Sequence, residues 1–204
     1  TLFRSRDMGS IVIEAKYILE IVRKIDAEEI EFEMIDGSLT KISGNTAEFR
    51  INGMRANEYP AIDFSKPKEC FALKEETLKK VILQTSFATS DKETRPVLTG
   101  VNFHCEGNTL HCVATDSYRL AKKTIDIAEA LNFNITIPAK SLSEVVKTLE
   151  GEGEVEIAVN DKKAQFIIHD TIVQTRLIDG VYPETSRLIP LQFDYELTID
   201  SRDL

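Results

Sequence analysis

Apolar residues recur along the chain in two rhythms, a two-residue alternation and a three-to-four-residue spacing. Residues 135–149 (ITIPAKSLSEVVKTL) show both: a short alternating run at 135–137, then Leu142, Val145, Val146 and Leu149 on one helical face. The i, i+3, i+4, i+7 spacing predicts an amphipathic helix lying on a core. Residues 11–25 (IVIEAKYILEIVRKI) repeat the unit, with Ile18, Ile21, Val22 and Ile25 in the same slots. At an offset of 124 the two segments share Ile, Ile, Ala, Lys, Glu and Val. A weaker copy occupies residues 72–83, with Leu73 closing its strand and Leu78, Val81 and Ile82 on its helix. A fourth begins at Leu197. The strand-closing residues Ile13, Leu73, Ile137 and Ile199 lie 60, 64 and 62 apart, and five residues after each stands Ile18, Leu78, Leu142 or Leu204. A period near 62 that doubles to 124 marks an internal repeat.

After each helix the pattern changes to strand alternation broken by turn residues. Residues 29–34, 39–42 and 47–51 follow the first helix, with Asp36-Gly37 and Gly44-Asn45 between them. Residues 101–105 and 110–114 flank Glu106-Gly107-Asn108 as a hairpin, followed by 120–127. Residues 155–159, 164–168 and 172–177 follow the third helix, the first two joined at Asn160-Asp161. Asn, Asp and Gly turns between alternating runs are the strongest short-range hairpin signal. Each unit is therefore expected to be strand, helix, then about three antiparallel strands, an α+β fold. Tyr59-Pro60 and Tyr182-Pro183, 123 apart, close successive pairs of units. Pro-bearing polar linkers then divide the chain into 10–66, the second half of one domain; 67–190, a complete domain; and 191–204, the opening of a third. Residues 1–9 fit no copy and are expected to be a remnant foreign to the natural protein. The chain stops as a fourth unit starts, the pattern of a piece of a longer chain.

Composition narrows the class. With 42% hydrophobic and 29% charged residues over 204, the chain is of globular type, long enough to bury a core. It holds no apolar run of 18 residues and no secretory leader pattern, so no membrane partner is expected. Three cysteines without CxxC spacing fit free thiols in a reducing cytoplasm. A net charge of −9 disfavours a protein that simply coats nucleic acid.

Catalytic constellations are missing from the sequence. It contains no GxGxxG, GxxxxGK[ST], HExxH or GxSxG. His104-Cys105 and His111-Cys112 could offer four metal ligands on paper. Neighbouring strand residues point to opposite faces, however, so core cysteines beside surface histidines are the better reading, and no metal is expected. Asp116, Ser117 and His169 have nothing in the spacing to assemble them as a triad. No catalytic residues and no cofactor are expected.

The helix starts carry more. Lys16 and Lys140 share one slot, Arg23 and Lys147 another seven residues on, and the middle helix offers Lys79 and Lys80. Glu20, Glu75, Glu76 and Glu144 stand among them, as on an ordinary solvated face. Recurrence of cations on symmetry-related helices nevertheless suits a regular polyanion met through its phosphates. A second feature is VATDSYRL at 113–120, with Leu98 before it and YPETSRL at 182–188 behind. It reads either as a capped turn, with Asp116 bonding backbone amides and Tyr118 and Leu120 filling the core, or as a shallow apolar pocket rimmed by Arg119 and Arg187 that takes an extended peptide.

Three motifs together, TRPVLTGV (94–101), VATDSYRLA (113–121) and DGVYPETSRLIP (179–190), resemble the bacterial DNA polymerase III beta subunit, the replication sliding clamp family. The resemblance covers residues 10–204. It implies a DNA-clamp fold of repeated strand–helix–strand–strand–strand units, with helices on one face of antiparallel sheets. It also implies a head-to-tail homodimeric ring around duplex DNA, a non-catalytic processivity factor of the polymerase holoenzyme. Lys16, Arg23, Lys79, Lys80, Lys140 and Lys147 would then face phosphates, joined by Lys92 and Arg95 from a neighbouring loop. The family's cleft for short motifs of the Gln-Leu-x-Leu-Phe kind falls on Leu98, Thr115, Ser117, Tyr118, Arg119, Leu120, Pro183, Arg187 and Leu188. Its partners would be the replicative polymerase, the clamp loader and repair proteins. Tyr118 departs from the family, which often has His there. The competing reading is a peptide-binding scaffold with no DNA role.

Overall fold

The computed structural model describes residue 4, residues 7–189 apart from the Arg187 side chain, residues 192–200 and residue 202. Chain contacts divide it into two units, Thr1–Asp63 and Phe64–Leu204.

The first unit holds one repeat. Strand β1 (Ile11–Val12) leads into helix α1 (Ala15–Lys24), then β2 (Glu31–Met34), β3 (Leu39–Gly44), β4 (Ala47–Asn52) and β5 (Met54–Arg55). Strands β2, β3 and β4 form an antiparallel sheet in that order, with Ile42 opposite both Phe32 and Phe49. Helix α1 packs Ile21 and Ile25 with Ile42 as a small core, ringed by half-buried Ile18, Ile30, Phe49 and Ile51. The turns form where Asp, Gly and Asn cluster. The Asp36 carboxylate accepts the Ser38 and Leu39 amides at 2.9 and 2.8 Å, and Asn45 takes a left-handed φ of 48°. Among the described residues, strand β1 pairs only with β5, through Ile11 opposite Arg55 and Val12 opposite Met54.

The second unit holds two repeats. The first comprises β6 (Glu69–Lys74), α2 (Glu75–Thr85) and the long extended segment β7 (Gly100–Thr115). It runs on into β8 (Leu120–Pro138), whose end opens the next repeat, with α3 (Ala139–Thr148), β9 (Glu154–Val159), β10 (Lys163–Ile168) and β11 (Thr171–Arg176). Segments β7 and β8 pair antiparallel in two runs, 100–107 with 131–138 and 109–115 with 120–126. The His104 and His111 rings stack at 6.4 Å. Seven residues of straight strand would separate them by roughly 23 Å. Segment β7 therefore doubles back at Gly107-Asn108, where Gly107 has φ 62°. This is the hairpin that the alternation predicts, with Cys105 and Cys112 buried and the two histidines on the other face.

The second sheet runs β11–β10–β9–β6. Its outer member β6 belongs to the preceding repeat and places Phe71 opposite Ile157. Reciprocally, the last arm of β8, which opens the later repeat, pairs with the 100–107 arm of β7 and places Ile135 opposite Phe103. The two repeats thus exchange their first strands. Periodicity shows two like units but cannot show this exchange, because it sets which edges meet and not what lies along either chain. The core joins both sheets and both helices, with Phe71, Phe103, Phe166, Leu78, Ile82, Ile137, Leu142 and Val145 buried in one cluster. Helix α2 packs beside α3.

One buried acid holds the start of α2. The wholly buried Glu75 accepts the Gly151 amide on Oε2 at 2.7 Å and donates its own amide to the Gly153 carbonyl at 3.0 Å. Its Oε1 lies 2.9 Å from His169 Nε2, though off hydrogen-bond geometry. The predicted fourth copy runs to Leu204, which lies outside the described residues, as do Pro190 and Leu191 at the second linker. The described Leu197 and Ile199 are exposed and outside any strand.

Candidate functional site

The turn between β7 and β8 is built by its own side chains. Asp116 Oδ1 accepts the Tyr118 and Arg119 amides at 2.9 and 3.0 Å. Thr115 Oγ1 accepts the Ser117 amide at 3.1 Å and donates to the Arg119 carbonyl at 2.7 Å. These bonds hold Ser117 at φ 80°, a conformation that a non-glycine residue adopts only when its surroundings impose it. The backbone amides of Arg119 and Tyr118 hold the Asp116 carboxyl below its ordinary value of 3.8. A depressed carboxyl stabilises the turn above that ordinary value, and the contribution is lost as pH falls through the lowered one. The stability of the second unit is therefore expected to lose a small contribution as pH falls below about 4, and Asp116→Asn should remove that part of the acid dependence; melting curves across a pH series read the difference.

Around the turn the fold gathers residues from distant segments. The half-buried Tyr182 hydroxyl accepts the Thr115 amide at 3.0 Å, and its partial burial pushes its phenol up, with that bond only partly offsetting. Gly180, at φ 121°, lets the chain leading to Tyr182 lie against Val97; a Cβ there would stand 3.0 Å from a Val97 methyl. Leu98 is buried, its carbonyl accepting the Ser90 amide at 2.8 Å. Arg119 projects to solvent, bonded through Nε to Asp116 Oδ2 at 3.1 Å, with its guanidinium 6.0 Å from the exposed Phe87 ring. Leu120 is half-buried. Tyr118 is 97% exposed, so it fills no core and stands free at the rim. Pro183 and Leu188 are exposed on the stretch beyond Tyr182, and the Arg187 side chain lies outside the described residues. Arg95, expected to approach DNA, donates from Nη1 to Ser117 Oγ at 3.4 Å and so joins the turn as well.

Two contributors are not evident from the sequence. Phe87 follows α2 out of helical phase, and an exposed aromatic just past a helix end is the only signal of it. The anchoring role of Tyr182 has no signal, because a hydroxyl bonded to an amide 67 residues away leaves no local pattern.

The predicted DNA-facing cations Lys79, Lys80, Lys140 and Lys147 all lie exposed on the adjoining helices α2 and α3, and Lys92 is exposed on its loop. Lys80 pairs with Glu76 at 2.6 Å and Lys147 with Glu144 at 2.7 Å. Such exposed pairs are worth 0 to about 1 kcal/mol and open readily to a competing anion. In the first unit Lys16 and Arg23 are exposed on α1. Among the described residues, no three His, Cys, Asp or Glu side chains converge as a metal site.

Comparison with known proteins places this arrangement. The family model described as the DNA polymerase III beta subunit, central domain, matches residues 72–184, and the model for its N-terminal domain matches residues 2–63, taking in residues that the repeat leaves out. The chain is 39% identical over 198 residues to the beta sliding clamp of Bacillus subtilis, covering 96% of this chain and 52% of that one. The crystal structure of the Bacillus subtilis clamp superposes with a TM-score of 0.85 at 38% identity, over 90% of this chain and 49% of that chain. A sliding clamp from Bartonella birtlesii gives 0.84 at 29% identity, over 91% and 52%. The chain spans about half the length of the curated relatives it matches. With the central-domain model alone matching more than half of the 204 residues, on the repeat and the strand order described above, the chain belongs to the DNA polymerase III beta subunit family.

Proposed function

We propose that this chain supplies part of a sliding clamp, a non-catalytic processivity factor that encircles duplex DNA as a head-to-tail homodimeric ring and tethers the replicative polymerase. In this reading residues 10–66 are the second half of the first clamp domain, 67–190 the second domain and 191–204 the opening of the third. The observation that carries it is the pair of adjoining helices α2 and α3, each exposing lysines on a chain whose net charge is −9. A bore of weak, screened phosphate contacts inside an acidic ring holds DNA by topology and leaves it free to slide. Lys92 and Arg95 from the neighbouring loop, and Lys16 and Arg23 on α1 of the first unit, are read as further phosphate-facing cations. The cleft is the turn at residues 115–120 with Leu98, Pro183, Arg187 and Leu188. It receives the polymerase, the clamp loader and repair proteins in the cytoplasm. The Bartonella birtlesii clamp was solved bound to griselimycin, which supports a ligand-accepting surface on this fold.

Fluorescence anisotropy with a duplex tests the DNA surface. Log affinity is expected to fall linearly with log salt, and Lys79→Glu with Lys140→Glu should flatten the slope by about 0.9 for each phosphate that is no longer neutralised. A salt-insensitive affinity, or a slope unmoved by the charge reversals, would instead favour a scaffold without a DNA role.

A further inference from the structure

The chain has three histidines, and two of them stand side by side on a face that the proposed function leaves unused. The two-residue turn at Gly107-Asn108 sets His104 opposite His111 across the β7 hairpin. Their rings lie 6.4 Å apart between centres and within 14° of parallel. Both side chains are half-buried, on the side of the sheet away from Cys105 and Cys112, which enter the core with helices α2 and α3. Directly opposed strand positions hold their Cβ atoms about 4.5–5.5 Å apart, near enough for two imidazoles to reach one ion. Turning the rings toward a shared point needs mainly rotation about χ2, which is soft for histidine. On β8, Thr124 faces His111, and its hydroxyl lies 3.0 Å from His111 Nδ1. With the Nδ1 proton donated to that oxygen, Nε2 keeps its lone pair. A bond of this kind at the second ring nitrogen fixes the tautomer and orientation of metal-ligating histidines.

We propose that His104 and His111 together bind one divalent transition-metal ion of the zinc type, with water in its remaining positions. Imidazole suits zinc, copper and nickel, whereas magnesium and calcium take oxygen ligands. Burial first, then Lys122 and His104, hold the His111 imidazole below its ordinary value of 6.5, so at neutral pH it carries no proton for a metal to displace. Of the charged groups acting on His111, Glu106 favours a cation and Lys122 opposes one, so binding rests on the imidazole pair and not on charge. Among the described residues no third His, Cys, Asp or Glu joins them, which leaves the site open to water and to exchange. The ion clasps the two arms of the hairpin on the face turned away from α2 and α3, so it neither uses nor blocks their lysines.

Zinc chloride titrated into the 204-residue chain, with the histidine ring proton resonances followed by NMR, tests this. The signals of His104 and His111 should move together and saturate at one ion per chain, while that of His169 stays in place; magnesium chloride should move none of the three. Calorimetry on variants adds a second readout. His104→Asn and His111→Asn should each remove the saturable heat with circular dichroism unchanged, and Thr124→Val, which keeps both ligands, should weaken zinc by about 10-fold. Resonances of His104 and His111 that stay unmoved at every soluble zinc concentration would overturn the proposal. So would zinc binding of undiminished affinity in both asparagine variants, which would place the ion on other groups such as the half-buried Cys70.

Discussion

Leu142→Ala should lower the unfolding free energy of the second unit by about 2–5 kcal/mol, whereas Ile18→Ala should cost clearly less. The two residues occupy the same slot of the repeat, 124 apart. Leu142 is wholly buried in a cluster that joins two sheets and two helices, so its removal leaves a cavity whose rigid walls cannot collapse. Ile18 only flanks a cluster of three buried residues and is already partly hydrated, so less apolar surface returns to water and little void remains. Urea titrations of the two variants check the pair. Equal losses would mean that the lone repeat is packed as tightly as the exchanged pair, contrary to the burial of the two side chains.

Replacing both Phe87 and Arg119 with Ala should weaken a Gln-Leu-x-Leu-Phe peptide by about 30-fold or more, the scale of losing an interface hot spot of about 2 kcal/mol. Both side chains reach solvent and lie against one another, so their removal should leave the fold intact. An exposed aromatic beside an arginine gives a peptide large apolar contact at small ordering cost, with the guanidinium free to meet a carbonyl or carboxylate. Leu98→Ala serves as the contrasting variant: its burial means that weakened affinity there is accompanied by weakened stability. Isothermal titration with parallel melting curves separates the two effects. Undiminished binding by the Phe87 and Arg119 variant would move the cleft away from this turn.

The repeat, its helices and its strands were legible because each depends on neighbours within about seven residues. The 3.6-residue spacing of Leu142, Val145 and Leu149 and the alternation of Val155, Ile157 and Val159 state locally which side of an element is apolar. Turn chemistry is equally local, so Asp36-Gly37, Gly44-Asn45 and the Asp116 cap could all be read from the residues themselves. The candidate site residues on the turn at 115–120 were named for a different reason: the motif is distinctive enough to carry a family resemblance.

Tertiary structure alone decided what each apolar face meets. Phe32 and Ile157 have the same pattern around them, yet one is half in water and the other buried, because hydrophobicity is non-directional and periodicity does not name a partner. The exchange of first strands, the Tyr182 anchor on Thr115, the Phe87 ring under Arg119 and the burial of Glu75 all join residues far apart in sequence. Alternation and helical spacing along 204 residues determined the elements and their repetition; closure of the chain in space determined which edges were completed and which surface was left to bind.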